Sequence, residues 1–276
     1  MAGAESKTCV ISGATSGIGL ETARQLAAGG MRVIGLGRGP ESCRRAETEL
    51  GKPGRGAEVR FMAVDLSSLG NVRRAAAAIR AELPGGRLDR LIHNAAALSS
   101  RYIGTEDGYE LQFAVNYLAA FLLTRELLPS LVRPEEGRIV AVSSGSHRGA
   151  EIAWADPMLR RRYSGLKAYR QSKLALVLFT CEFNRRVARR FPLRAFGVEP
   201  GLVDPAAGGP RPKDKGPSPA DAATSIVRLA AEPLSSIPAD YWRLGRPAEP
   251  SPYARSAEAA FRLWRLSEEL TGSDFL

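Results

Sequence analysis

Six short runs rich in apolar and β-branched residues recur along the chain: TCVIS (8–12), RVIGLG (32–37), EVRFMAV (58–64), LDRLIH (88–93), RIVAVSS (138–144) and LRAFGVE (193–199). Between them the spacing predicts helices at about 17–28, 41–50, 69–83, 106–132 and 167–190, several ended by Gly or Pro. Strands that alternate with helices predict an α/β fold, a parallel sheet with helices on both faces. The rhythm runs to about residue 200 without a linker, so the chain reads as a single domain over 1–276. Beyond it, 204–219 is rich in Pro and Gly and reads as a loop, more in the manner of an active-site lid than of a linker. Helices are expected again at about 219–231 and 254–270.

A length of 276 residues with 44 % hydrophobic content is enough for a proper core. Three cysteines (Cys9, Cys43, Cys181) without a C-x-x-C pair, and two distant histidines (His93, His147), support neither a disulfide framework nor a metal site. The net charge of +10 raises nucleic acid as a partner. Its distribution argues against that: the basic residues are scattered, the clusters at 160–162, 185–186 and 189–190 lack interleaved aromatics, and solvated helix faces account for most of them. No window reaches the 18 or so apolar residues of a spanning helix, the best being broken by Arg125 and Glu126. The first residues, MAGAESKT, lack the apolar stretch of a signal peptide. A cytoplasmic protein is expected.

The turn after the first run, SGATSGIG, places Gly13, Gly17 and Gly19 between a strand and the start of a helix. Glycines there allow a tight turn, let backbone N–H groups approach a pyrophosphate and present the helix N-terminus to its charge. At the end of the second strand, where an acidic residue would bind a ribose diol, stands Arg38. A guanidinium suits a 2′-phosphate, which favours NADP(H) over NAD(H). Asp65, at the end of the third run, could accept a bond from the adenine amino group or could cap the next helix.

Tyr169 and Lys173, four residues apart in AYRQSK, share one helix face. A nearby ammonium would lower the tyrosine pKa and make proton exchange practical. Ser144 ends its strand at the carboxyl edge of the sheet, where a hydroxyl could hold a substrate oxygen; Ser143 competes for that role. Asn116 is a lone amide in an apolar helix, to be satisfied by backbone or water, or to order a water chain toward Lys173.

In order, SGATSGIG, VDL, HNAA, VNYLAAFLLT, RIVAVSS, YRQSK and EPG resemble the short-chain dehydrogenase/reductase family over about residues 7–272, and most of all its retinol-dehydrogenase-like subgroup. The resemblance implies a single Rossmann-like, doubly wound domain. Its dinucleotide-binding part spans about 7–200, and a substrate-binding loop and C-terminal helices fill about 201–276. It implies an oxidoreductase acting on a small lipophilic carbonyl or alcohol, with Tyr169 as general acid/base, Lys173 on the nicotinamide ribose, Ser144 on the carbonyl and Asn116 in a proton relay. Gly13, Ser16, Gly17, Ile18 and Gly19 would cradle the pyrophosphate. Arg38 would take the 2′-phosphate, Asp65 and Leu66 would meet adenine, and Asn94, Pro200, Gly201 and Val203 would line the cofactor.

Three departures stand out. Ala96 replaces the family's glycine after the fourth strand, Pro205 replaces a cofactor-binding threonine, and 25 positions separate Ser144 from Tyr169, so an insert borders the substrate pocket. Ala96 and Pro205 leave an alternative, a cofactor-binding regulatory or scaffold protein with little turnover. The apolar helices around 109–132 and 167–183 could pair in a homodimer or pack on the sheet.

Overall fold

Each predicted run forms a strand: β1 (Thr8–Ser12), β2 (Arg32–Gly37), β3 (Val59–Ala63), β4 (Arg90–His93), β5 (Gly137–Val142) and β6 (Leu193–Glu199). The structure, a computed structural model, describes residues 6–51, 57–201 and 217–275. Two further strands, β7 (Tyr241–Arg243) and β8 (Arg246–Pro247), complete one eight-stranded sheet in the order β3-β2-β1-β4-β5-β6-β7-β8. All neighbours are parallel except β7 and β8. The strand order reverses direction between β1 and β4, and in such sheets the ligand crevice opens at the carboxyl ends of those strands.

Both faces are covered, which is why the strands read as continuous apolar runs. Alternation along β1 divides its residues: Cys9 and Ile11 join one core, Val10 the other. The first core receives α1 (Gly17–Ala28), α2 (Pro40–Leu50) and α7 (Pro219–Ala231). The second receives α3 (Leu69–Glu82), α4 (Leu111–Phe113), α5 (Ala119–Leu131), α6 (Gly165–Arg186) and α8 (Ala257–Thr271). The doubly wound, Rossmann-like architecture is therefore the one expected.

The boundaries differ where side chains override the pattern. The helix expected from 106 begins only at Leu111, because Gly104 and Glu110 form a β-bridge and the Glu110 carboxylate caps the new helix by accepting from the Phe113 N–H at 2.7 Å. A π turn over Ala114–Leu118 then joins α4 to α5, with Asn116 at its centre. The strand expected to run to Ser144 ends at Val142, and α6 stops at Arg186, with turns to 190. Not all arginines are solvated: Arg90 and Arg138 are paired across β4 and β5 and fully buried, and they donate to the Ala230 and Leu229 carbonyls at the end of α7.

The apolar faces of α5 and α6, candidates for pairing between subunits, are covered within the chain. Trp264 of α8 stacks on Phe179 at 5.9 Å, and Phe275 meets Phe121 at 4.9 Å and Trp264 at 4.6 Å. Among the described residues, no helix is long and apolar enough to cross a membrane.

Candidate active site

The glycine turn leaves the end of β1 with Gly13 at φ +65° and Gly17 at φ +55°, backbone that only glycine adopts without strain. A Cβ on Gly13 would stand 2.7 Å from the Ala95 Cα, and one on Gly19 would collide with the Gly13 carbonyl and the Asn94 amide. Ser16 is the N-cap of α1 but makes no capping bond, and the first turn holds no acidic side chain. The N-terminal amides of a twelve-residue helix are thus left for an outside acceptor, with Ser16 exposed and Ile18 half-buried beside them. This chemistry fits a pyrophosphate.

Asn94 holds the turn from within. Its Nδ2 donates to the Ser12 and Gly13 carbonyls at 3.2 and 2.9 Å, while the Asn94 and Ala95 N–H groups donate to Ser12 Oγ at 3.1 Å each. Ser12 is a member of this clamp that the motif reading passed over; its one signal was a polar residue ending an apolar run. Arg38 is exposed just past β2 and takes part in none of the ion pairs among the described residues, so its guanidinium is available to an anion. Asp65 is exposed, and its Oδ1 accepts from the Ser67 N–H at 2.9 Å. The helix cap considered for Asp65 is supplied instead by Ser68. Leu66 is buried beside Asn116 and Ala95 around a small cavity. Pro200 is buried after β6, and Gly201 turns at φ +98° against Leu244. Val203, Pro205 and the loop from 204 to 216 lie outside the described residues.

Across the crevice, just beyond the end of β5, the two serines separate. Ser143 is buried and donates to the Lys173 carbonyl at 2.9 Å, tying the strand to α6. Ser144 is half-buried; its Oγ accepts from the Ser146 N–H at 3.2 Å and interacts with the Tyr169 hydroxyl. Ser144, not Ser143, therefore faces the tyrosine. The insert that follows it is tied to α6, with Gln171 accepting from the Ala153 N–H at 2.9 Å and donating to the Pro157 carbonyl at 2.7 Å.

Lys173 is buried, and its Nζ donates to the Val142 carbonyl at 2.9 Å, 5.8 Å from the centre of the Tyr169 ring. Burial pulls its pKa down to about 8. Burial pushes Tyr169 up, with Ser144 drawing it partly back. Desolvation of the phenol dominates this balance, so the net shift is opposite to the lowering expected from the lysine. Asn116 is satisfied by protein: Oδ1 accepts from the Ala97 N–H at 2.6 Å, and Nδ2 donates to the Ala97 carbonyl at 3.1 Å and to Ser172 Oγ at 2.9 Å. These bonds are those of the structural role considered for that amide, a role compatible with a water chain toward Lys173.

Anion-ready amides at a switch point, with a serine and a tyrosine just past the end of the neighbouring strand, fit a dinucleotide-dependent oxidoreductase. The chain belongs to one family of these, the short chain dehydrogenases, whose model matches residues 7–216, and within it to the retinol-dehydrogenase-like subgroup. It is 36 % identical to retinol dehydrogenase 13 of Homo sapiens, over 96 % of this chain and 85 % of that protein. It is 37 % identical to polyprenol dehydrogenase of Mus musculus, over 97 % and 84 %. Among solved structures, an uncharacterized protein from Mycobacterium paratuberculosis superposes with a TM-score of 0.80 at 35 % identity, covering 98 % of this chain and 95 % of the other. A metagenomic short-chain oxidoreductase in complex with NADP gives 0.67 at 25 %, covering 88 % and 98 %.

Proposed function

We propose that the protein interconverts a carbonyl and an alcohol on a small lipophilic substrate, using NADP(H), as a single domain in which residues beyond about 200 contribute to the substrate side. The observation that carries this reading is the meeting of Ser144 and Tyr169 just past the carboxyl end of β5, across the crevice from the glycine turn. A nicotinamide cofactor supplies or accepts the hydride when bound. Gly13, Ser16, Gly17, Ile18 and Gly19 would hold its pyrophosphate, Arg38 its 2′-phosphate, Asp65 and Leu66 its adenine, and Pro200, Gly201 and Val203 its other end. Ser144 holds the substrate oxygen, Tyr169 passes the proton to or from it, and Lys173 places a cation behind the tyrosine. Asn116 keeps the loop at Ala97 and the α6 residue Ser172 in register with one another.

Lipophilicity is supported by what surrounds the crevice. Leu166 precedes Tyr169 by one helical turn and is 63 % exposed, and Leu98, in the loop after β4, is 70 % exposed. Two of the relatives are named for retinol and polyprenols, which have long apolar chains. The test is NADPH oxidation with a panel of straight-chain aldehydes, retinal and a polyprenal, and the reverse reaction with the alcohols. Tight NADPH binding without turnover across that panel would favour a regulatory or scaffold role.

Arg38→Asp tests the cofactor preference. Loss of charge-assisted bonds to a 2′-phosphate should weaken NADPH binding by about tenfold to a hundredfold while leaving NADH within about twofold. Equal losses for both nucleotides would refute the assignment.

A further inference from the structure

His147 follows Ser144 by three residues, in the short turn Gly145–His147, and is fully buried. Its two ring nitrogens have partners of fixed polarity. Nε2 lies 3.1 Å from the Ser251 backbone N–H, which can only donate, so Nε2 accepts. Nδ1 therefore carries the proton and donates it to the Ser144 carbonyl at 2.8 Å. That carbonyl also accepts from the His147 N–H at 3.0 Å. The same turn supplies the Ser146 N–H that engages Ser144 Oγ. With one lone pair of that oxygen committed to Ser146, the direction left for its interaction with Tyr169 depends on the turn keeping its shape.

The other side of the ring leads to the C-terminal segment. Arg148 donates to the Glu249 carbonyl at 2.7 Å, and Trp154 Nε1 donates to the Tyr253 hydroxyl at 3.1 Å. With the His147 to Ser251 bond, residues 147–154 of the insert are stitched to 249–253 at three points, and only the histidine's stitch continues to Ser144. Packing beneath leaves the turn little freedom. Tyr241 lies 5.6 Å from the imidazole, ring centre to ring centre, and donates to the buried Glu199 at 3.2 Å. A Cβ on Gly145 would stand 2.6 Å from the Glu199 carboxylate.

We propose that His147 is a positioning residue: through its Nδ1–H tautomer it fixes the Ser144 carbonyl and turn, and with them the aim of the Ser144 hydroxyl. The inference rests on the reading of Ser144 and Tyr169 given above. The two bonds can be separated in the full-length protein, because an asparagine amide nitrogen can stand where Nδ1 does and a glutamine amide oxygen where Nε2 does. With NADPH and decanal, His147→Asn keeps kcat within about threefold of the parent. His147→Gln keeps the Ser251 bond and loses kcat by about tenfold or more, with the KM for NADPH unchanged.

A histidine that only supports the fold gives a different order, with kcat following the thermal midpoint and Gln performing as well as Asn or better; that order, or no change in either variant, overturns the proposal. A measurement that needs no substitution guards against misfolded variants. Histidine-selective ¹⁵N NMR of the native protein should show His147 as the Nδ1–H tautomer, and finding Nε2–H or the imidazolium overturns the proposal equally. Ser144→Ala is the control for the underlying reading. If it turns over decanal as fast as the parent, the role of Ser144 fails and this inference goes with it, whereas an inactive Ser144→Ala beside an unaffected His147→Gln rejects the histidine alone.

Discussion

Tyr169→Phe should lower kcat for carbonyl reduction by about 10²–10⁴-fold while leaving the KM for NADPH within about twofold. The substitution removes one hydroxyl and keeps the half-buried ring, so α6 and its packing stay in place. What disappears is the proton donor that meets Ser144. The pH profile gives a second check. Burial raises the tyrosine pKa above its ordinary value, so the phenol is protonated at neutral pH and can give its proton to a forming alkoxide. Reduction should therefore run at a level rate through neutral pH and fall as the phenol ionises, while alcohol oxidation, which needs the phenolate, climbs with pH. Tyr169→Phe should abolish both limbs. Stopped-flow and steady-state rates from pH 6 to about 11.5, beyond the ordinary tyrosine pKa of about 10, would decide, and retention of more than about a tenth of the parent activity would remove Tyr169 from its role.

How far such a site can be read from sequence depends on the range of the forces that build it. The glycine turn is local: Gly13 and Gly17 occupy positions where positive φ excludes other residues, and α1 begins and ends where its pattern places it, at Gly17 and Ala28. The long strands are equally local in origin, since each is an apolar run covered on both faces. Strands β7 and β8 were not legible, being three and two residues long and held by pairing, β7 to β6 and β8 to β7, and by buried Trp242, not by any pattern of their own. The early start assigned to the helix at 106 failed for a similar reason. Its polar residues fit a helical pattern, but a bridge from Gly104 to Glu110 holds them as a loop.

Side-chain direction was the other blind spot. Four-residue spacing puts Tyr169 and Lys173 on one face, yet it cannot say that the ammonium reaches the Val142 carbonyl. Two adjacent serines look equivalent until one turns to α6 and the other to the tyrosine. Apolar helices likewise announce a face to be covered but not what covers it. Here Trp264 of α8 and Phe275, both more than 80 residues away along the chain from Phe179, supply cover for α5 and α6. His147 is visible in the sequence as the histidine of SSGSH, a stretch that resembles the retinol-dehydrogenase-like subgroup, but its place depends on Ser251, 104 residues on.

Lys173→Met should do two opposite things: reduce turnover by about 10²-fold or more, and make the fold more stable by about 2 kcal/mol near neutral pH. The reason lies in the cost of the buried ammonium. Desolvation brings its pKa from an ordinary 10.5 to about 8, a difference that corresponds to about 3 kcal/mol of penalty while the charge is present. Methionine fills a similar volume without the charge, and the Val142 carbonyl left without its donor returns about 1 kcal/mol of the gain. The sign follows from linkage. A base whose folded pKa is depressed leaves the folded protein holding fewer protons than the unfolded chain between pH 8 and 10.5, so parental stability rises through that window. The advantage of Lys173→Met should thus be full below pH 8, shrink as pH climbs, and give way above about pH 10.5 to a deficit of about 1 kcal/mol, the cost of the lost carbonyl bond. Urea denaturation of both proteins without added cofactor, at pH 7 and at pH 10, measures it directly. A variant less stable than its parent at pH 7, or an advantage that does not shrink at pH 10, would mean that the lysine is not held as a costly buried cation.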